Sequence, residues 1–482
     1  MTTLSISASF YGLASRRSLS IIIPSILLLL GFVGCTSDTI VQTTSTQHTL
    51  TDERRAQNVA SFEYVWNSVK DKHWDPDLNG IDWNQARTDL LPKVQNATTD
   101  NQARAAINEL LNRLEQSHFG IIPSSAYTKL QEESTEIEDD DSDSTESTTN
   151  TDSDDKSDDD SKPGWSGMNA RLINNQFLVT KVVPDSPADQ SGIKTGWIID
   201  SIRGRKVNSL IELANTINGV MRPETQAGLI LYSRLHGDAG KTVKMTFIDG
   251  NDQTQKIDLT FVESPGIMAG IGELPESPIE VEATTLDNGI GYFRLSMFMS
   301  PGTVLPTYQQ FIKDHMDAPG IVIDMRGNFG GIILMAPGMI NWLIDEKGLM
   351  GTMKMRDAQR GPFDIPLMLN PRKKHYTGKV AVLIDEMSIS NAEILSAGLK
   401  DIGRATIFGT RTAGLALPST VERLPNGDGF QYAFADYITS GGYSLESNGT
   451  TPDIDITYTR QGLLNGHDEV LDAATDWINS NE

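Results

Sequence analysis

The spacing of apolar positions divides the 482-residue chain into stretches of different character. Between residues 51 and 126, FEYVWNSVKDKHW and NQARAAINELLNRLEQ place apolar residues at i, i+3 and i+4, the stripe of an amphipathic helix. A small N-terminal helical domain is predicted, ending at SHFGIIP, where Gly120 and Pro123 stop the pattern. Between 164 and 264 short β-rich runs alternate with turns, and KTVKMTFIDGNDQTQKIDLTFV reads as a hairpin turning at Asp249-Gly250. From 265 to 482 the nearly continuous apolar runs GIGYFRL, GIVIDMRG, KVAVLID and RATIFG alternate with the helical stretches GTVLPTYQQFIKDHM and NAEILSAGLKDIG. Strands of that kind are buried on both faces, so this third region is expected to be a layered α/β domain, and the chain as a whole multi-domain.

Two stretches lie outside these patterns. Residues 127–163 are dominated by acid: QEESTEIEDDDSDSTESTTNTDSDDKSDDD carries about half or more of the excess behind the net charge of −24. Such composition cannot bury enough apolar surface to offset its ordering entropy, and it lacks the glycine-punctuated spacing of a calcium loop, so it reads as a disordered insert. The same charge argues against nucleic acid as a partner, since phosphate binding needs basic stripes. At the other end, Arg16 and Arg17 precede the apolar run SLSIIIPSILLLLGFVG and then Cys35, the only cysteine. A basic region followed by a short, Pro-interrupted apolar run is the pattern of an export signal over residues 1–34, too short for a comfortable membrane span. FVGC resembles a bacterial lipobox, with Phe32 departing from the usual small aliphatic, and implies acylation of Cys35 with residues 35–50 as a tether. The expectation is a lipid-anchored protein of the cell envelope, on the periplasmic or outer-membrane face of a Gram-negative bacterium.

Three features carry candidate chemistry. IVIDMRGNFGG ends a strand in a turn rich in glycine, at Gly327, Gly330 and Gly331; no Walker lysine follows, so backbone N–H groups for an oxyanion fit better than a phosphate cradle. KVAVLIDEMSISNAE runs a strand into a helix through a serine-bearing turn, where a hydroxyl can be exposed at a helix N-terminus. Ser390 there also fits a helix N-cap, with Glu393 completing a capping-box pattern. RLEQSHFG places His118 after Ser117 at a helix end, a position suited to a cap or packing residue as well as to a base. No metal-ligand cluster is evident, and neither metal nor cofactor is expected.

VVPDSPADQSGIKTGWIIDSIRGRKV resembles the core of a PDZ domain, with Ser186-Pro187-Ala188 opening a short helix and Gly192 and Gly196 in the turns. The resemblance implies an extended peptide added to a sheet edge, with a carboxylate-binding loop at Trp165, Ser166, Gly167, Met168 and Asn169. GIGYFRLSMF, GIVIDMRGNFGG, VLIDEMSISNAEILSAGLKDIGRATIFGTRTAG and LESNGTTPDIDI stand in the order and approximate spacing of the C-terminal-processing and tricorn-like serine peptidases. That resemblance, over nearly all of the chain from residue 52, implies a ClpP/crotonase-like core of ββα units. It implies Ser390 as nucleophile, with Ser388 as runner-up. In the C-terminal-processing branch a lysine follows the T.G turn, but GTRTAGLALPS carries Leu415 there, which cannot accept a proton. Lys400 lies about three helical turns from Ser390, roughly 15 Å. The tricorn-like branch implies instead His118 as base near pKa ~6.5, supported by Ser117 and Glu446, with an oxyanion held by the N–H of Asn391 and of Gly330 or Gly331. Asp401 is expected to support the fold. The implied function is a serine peptidase acting on peptides or unfolded proteins through an acyl-enzyme, with self-association into a homo-oligomer open. The alternatives are an inactive PDZ scaffold on a protease-like fold, or a binder of apolar ligands.

Overall fold

The computed structural model of the chain describes residues 50–125, 162–216, 220–270 and 276–480. The expected export signal, Cys35, the tether up to residue 49 and the acidic stretch from 126 to 161 lie outside the described residues.

Three helices, Asp52–Lys72, Trp83–Gln95 and Asp100–Asn112, form the N-terminal unit. Each begins at a short polar residue whose side-chain oxygen accepts an orphan N–H: Thr51 from Arg54 (3.1 Å), Asp82 from Gln85 (2.9 Å) and Thr99 from Gln102 (3.3 Å). Phe62, Val65, Leu90, Val94, Ile107 and Leu110 bury the shared stripe. The unit is not self-contained. Its last strand, Gly120–Ile122, pairs antiparallel with Gly429–Ala433 of the C-terminal region, and Phe430 and Tyr432 from that strand complete the helices' core. A segment that sequence assigns to one domain is therefore built into the sheet of another.

The β-rich region folds around strands in the order Met168–Ile173, Gln176–Val182, Ile198–Ile202, Thr242–Ile248 and Thr254–Thr260. The last two form the hairpin expected about Asp249-Gly250. Ser186 caps the short helix Pro187–Gln190, and Gly192 and Gly196 both adopt φ +78°, which favours glycine. Met168–Ile173 is the edge strand, and helix Pro223–Leu235 packs beside it.

The C-terminal region is built on a six-stranded sheet ordered Val281–Thr285, Gly291–Leu295, Gly320–Asp324, Lys379–Ile384, Thr406–Gly409 and Ile454–Asp455, parallel after the first antiparallel pair. Alternation explains the continuous apolar runs. Ile321, Ile323, Val380 and Val382 pack against helices Pro301–Asp314 and Asn391–Asp401, whereas Val322, Ala381 and Leu383 pack against helix Glu469–Asn479. A second, antiparallel sheet, Gly361–Leu369, Gly348–Asp357 and Ala435–Thr439, is absent from the sequence expectation; its hairpin strands are exposed or half-exposed along much of their length.

Candidate active site

Strand Lys379–Ile384 reaches helix Asn391–Asp401 through a turn in which Ser390 adopts φ 56° and ψ −116°. An L-residue so placed carries strain of about 1–3 kcal/mol and persists only where its surroundings enforce it. The enforcement comes from distant residues. The Ser390 N–H donates to the Leu415 carbonyl (3.0 Å) and to Glu393 Oε2 (2.9 Å). The Glu393 carboxylate also accepts from Thr412 Oγ1 (2.6 Å), Gly414 N–H (2.7 Å) and Leu415 N–H (3.0 Å). The capping-box bond from Glu393 is thus present, but most of that carboxylate is spent joining the serine turn to the loop 412–415. Burial pushes the Glu393 carboxyl up, and these four donors pull it back.

Ser388 is excluded as the nucleophile by its bonding. Its wholly buried hydroxyl donates to the Met325 carbonyl (2.8 Å) and accepts the Asp385 N–H (3.0 Å).

His118 lies on the opposite side of the same loop. Ser117 Oγ is 2.7 Å from His118 Nδ1 and 2.8 Å from Glu446 Oε2, while the Ser117 N–H donates to Glu446 Oε1 (2.7 Å). Glu446 Oε2 also accepts the Ala416 N–H (3.1 Å), one residue beyond the carbonyl that holds Ser390. Glu446 therefore reaches His118 through the Ser117 hydroxyl and not directly. His118 Nε2 is buried without a hydrogen-bond partner, so it is not bonded to the Ser390 hydroxyl in this state. The histidine is not the ordinary imidazole of the sequence expectation: with only a hydroxyl against its ring, burial lowers its pKa to about 3. Burial pushes Glu446 the other way, up to about 7.

Among the oxyanion candidates the structure separates two glycines. The Gly330 N–H is already donated to Asn328 Oδ1 (2.8 Å), whereas the N–H groups of Gly331 and Asn391 have no acceptor among the described residues. Gly330 has a steric role instead, since a Cβ there would lie 2.5 Å from the Ser390 Cβ.

Leu415 is buried in an apolar cluster with Leu229, Phe329, Met387, Ile389 and Ala413. Lys400 points away, bonding the Thr451 carbonyl (2.7 Å) and Asp453 (2.9 Å), and Asp401 accepts the Gly441 N–H (2.8 Å), a role in the fold. The backbone of the loop Trp165–Asn169 is bonded within its own domain, the Ser166 carbonyl accepting the Ala188 N–H (3.0 Å) and the Gly167 carbonyl the Val183 N–H (2.8 Å), while the Trp165 indole N–H donates to Glu280 Oε1 (3.1 Å) of the C-terminal region. The cavity that Trp165 and Asn169 share with Tyr232 and Phe329 holds about 50 Å³, space for a water or two and not for a peptide.

A strained serine at a helix N-terminus, unpaired N–H groups beside it and a histidine oriented by a carboxylate are the parts of a nucleophilic-serine site. Residues 289–456 match Peptidase family S41 and residues 54–112 match the Tricorn protease C1 domain, so the chain carries both of these domains. Ser390 and Glu446 fall within the first match, and His118 between the two. A probable CtpA-like serine protease of Staphylococcus haemolyticus is 24% identical over 291 residues, 60% of this chain and 52% of the relative. The carboxy-terminal-processing protease of Bartonella bacilliformis is 26% identical over 318 residues, 64% of each protein. The chain thus spans about half to two thirds of the length of the relatives it matches. The fold is shared with the photosystem II D1 C-terminal processing protease (TM-score 0.51, 20% identity, 87% of this chain and 99% of that one). It is shared also with mature CPAF complexed with lactacystin (TM-score 0.58, 14% identity, 89% and 99%).

Proposed function

We propose that the protein is a serine peptidase that hydrolyses peptides or unfolded proteins through an acyl-enzyme on Ser390, with His118 as general base. The observation that carries the reading is the line Glu446–Ser117–His118 ending in an unpartnered, buried Nε2. A hydroxyl has one proton. When Ser117 gives it to the Glu446 carboxylate, its oxygen accepts from His118 Nδ1–H, and the imidazole lone pair is left on Nε2. Closure of the Ser390 side chain onto Nε2 lets the imidazole take the hydroxyl proton as Oγ attacks the scissile carbonyl. The Asn391 and Gly331 N–H groups receive the oxyanion, and His118 returns the proton to the leaving amine. Water then hydrolyses the ester by the same base. Ser117 and Glu446 orient the imidazole and face the transient imidazolium.

In this reading the β-rich region acts as a PDZ domain that admits a substrate tail between strand Met168–Ile173 and helix Pro223–Leu235, a groove that must open to do so. Cys35 carries the lipid that holds the chain in the cell envelope; metabolic labelling with palmitate, lost in Cys35→Ala, checks this. A fluorophosphonate probe tests the mechanism. It is expected to label Ser390 in the wild type, weakly in His118→Ala, and not at all in Ser390→Ala, with casein hydrolysis following the same order. Full activity in either variant sinks the mechanism.

A further inference from the structure

The serine turn and the loop that fixes it are both covered by helix Pro223–Leu235 of the β-rich domain. Thr225 Oγ1 donates to the Glu386 carbonyl (3.0 Å), and a Cβ on Gly228 would come within 2.6 Å of Met387 Sδ, so the helix packs directly on the segment that leads into Ser390. Leu229 packs in one cluster with Met387 and Ile389 of the serine turn and with Ala413 and Leu415 of the loop that fixes it. At the start of the helix stands Arg222, whose Nη2 donates to the carbonyls of Arg411 (3.0 Å) and Thr412 (2.5 Å). A cation at a helix N-terminus opposes the helix dipole, and Arg222 makes no side-chain cap. Its Nη1 pairs with Glu224 Oε1 (2.7 Å) in the first turn of that helix, which leaves Nη2 to the neighbouring domain. The two hydrogens of Nη2 are fixed in the guanidinium plane, so two successive carbonyls are held in a geometry that a freely rotating ammonium does not impose.

Those carbonyls begin the loop on which Ser390 depends. Thr412 gives its hydroxyl to Glu393 Oε1, Gly414 and Leu415 give their N–H groups to the same carboxylate, and the Leu415 carbonyl takes the Ser390 N–H. We propose that Arg222 is a positioning residue for Ser390: by clamping the 411–412 carbonyls it makes the strained serine conformation depend on docking of the β-rich domain. The proposal rests on the reading of Ser390 as nucleophile. It adds that the β-rich domain supports the chemical step itself, apart from any substrate it binds.

The test is the rate at which a small fluorophosphonate, which needs no peptide groove, acylates Ser390 in the full chain. Arg222→Ala is expected to slow labelling at least tenfold and to lower kcat for a peptide with KM nearly unchanged. Arg222→Lys should recover part of the rate, and added guanidinium ion at low millimolar concentration should accelerate Arg222→Ala but not the wild type. If Arg222→Ala fails to fold, Arg222→Gln, which removes the guanidinium but keeps a polar side chain, and Thr225→Val, which removes the bond to the Glu386 carbonyl, are expected to slow labelling in the same sense. Wild-type labelling rates in these variants overturn the clamp, as does a loss confined to KM, which would make Arg222 a substrate-binding residue. An unlabelled wild type overturns the peptidase reading, and the clamp with it.

Discussion

At the scale of single residues the site turns on which way one hydroxyl points. Glu446, raised by burial to about 7, is ionised above that pH and accepts the Ser117 proton. Below it the carboxyl must donate. Its neighbours the Ser117 and Ala416 N–H groups are themselves donors, so the acceptor is Ser117 Oγ. The Ser117 proton then turns to His118 Nδ1, and the imidazole hydrogen moves to Nε2, the nitrogen needed as base. Hydrolysis is therefore expected to rise with pH through about 7, although His118 itself, lowered to about 3, stays neutral across that range. Glu446→Gln should lower kcat by ~10² or more, the scale of a general-base contribution, and remove the limb near neutrality. A profile measured from pH 5.5 to 9 that is flat in the wild type, or that keeps its limb in Glu446→Gln, contradicts the relay.

Among elements, the decisive joint is between the helix Asn391–Asp401 and the loop 412–415, and Glu393 makes it. Glu393→Ala strands the buried Gly414 and Leu415 N–H groups and the Thr412 hydroxyl, the Ser390 N–H keeping the Leu415 carbonyl, and each unpaired group costs about 1–3 kcal/mol; allowing for relaxation, a loss of about 3–5 kcal/mol is expected in urea denaturation. A loss under ~1 kcal/mol would mean that the loop finds other acceptors. Leu415→Lys tests the neighbouring position: an ammonium buried among Leu229, Phe329 and Met387 is costly, so the variant should be destabilised by several kcal/mol. His118→Ala/Leu415→Lys should remain inactive; recovered hydrolysis would show that a lysine can replace the histidine here. What sequence could show of this region follows from the range of its interactions. The buried strands were legible because alternation on two apolar faces leaves a continuous run. Ser390, His118 and Glu446 were legible only through motifs, while Glu393 looked like a local cap because its bond to Ser390 is local and those to Thr412, Gly414 and Leu415 are not. The hairpin of Gly348–Asp357 and Gly361–Leu369 offered only the short, Pro-interrupted run IPLML, and exposure along much of both strands kept it from reading as a buried strand. The clamp of Arg222 gave no signal, since the two carbonyls it holds lie 189 and 190 residues away.

On the scale of the whole molecule, the proposed base and nucleophile stand on different parts of the chain, so in the proposed mechanism the seam between those parts belongs to the catalyst. The helical unit that leads into Ser117-His118 is fastened at Asp428, whose fully buried carboxylate accepts Arg104 Nε (2.8 Å) and Nη2 (2.9 Å) and the Ser124 N–H (2.8 Å). Beside it Arg54 donates to the Asn426 carbonyl (2.6 Å), and Asn58 to Asp100 (2.8 Å). Removing one partner of a buried pair typically costs about 3–5 kcal/mol, because the other is left charged and unpaired. Asp428→Ala should therefore loosen residues 52–122 against the core. The Ser390 turn keeps its own bonds to Leu415 and Glu393 and should stay ordered. Hydrogen exchange reads the difference: helices Asp52–Lys72 and Asp100–Asn112 are expected to lose protection, helix Asn391–Asp401 to retain it, and hydrolysis to fall at least tenfold with the fold of the core intact. Uniform loss of protection would make Asp428 a determinant of global stability. Unchanged hydrolysis with a loosened helical unit would be the more serious result, because a base carried on that unit cannot act from a distance.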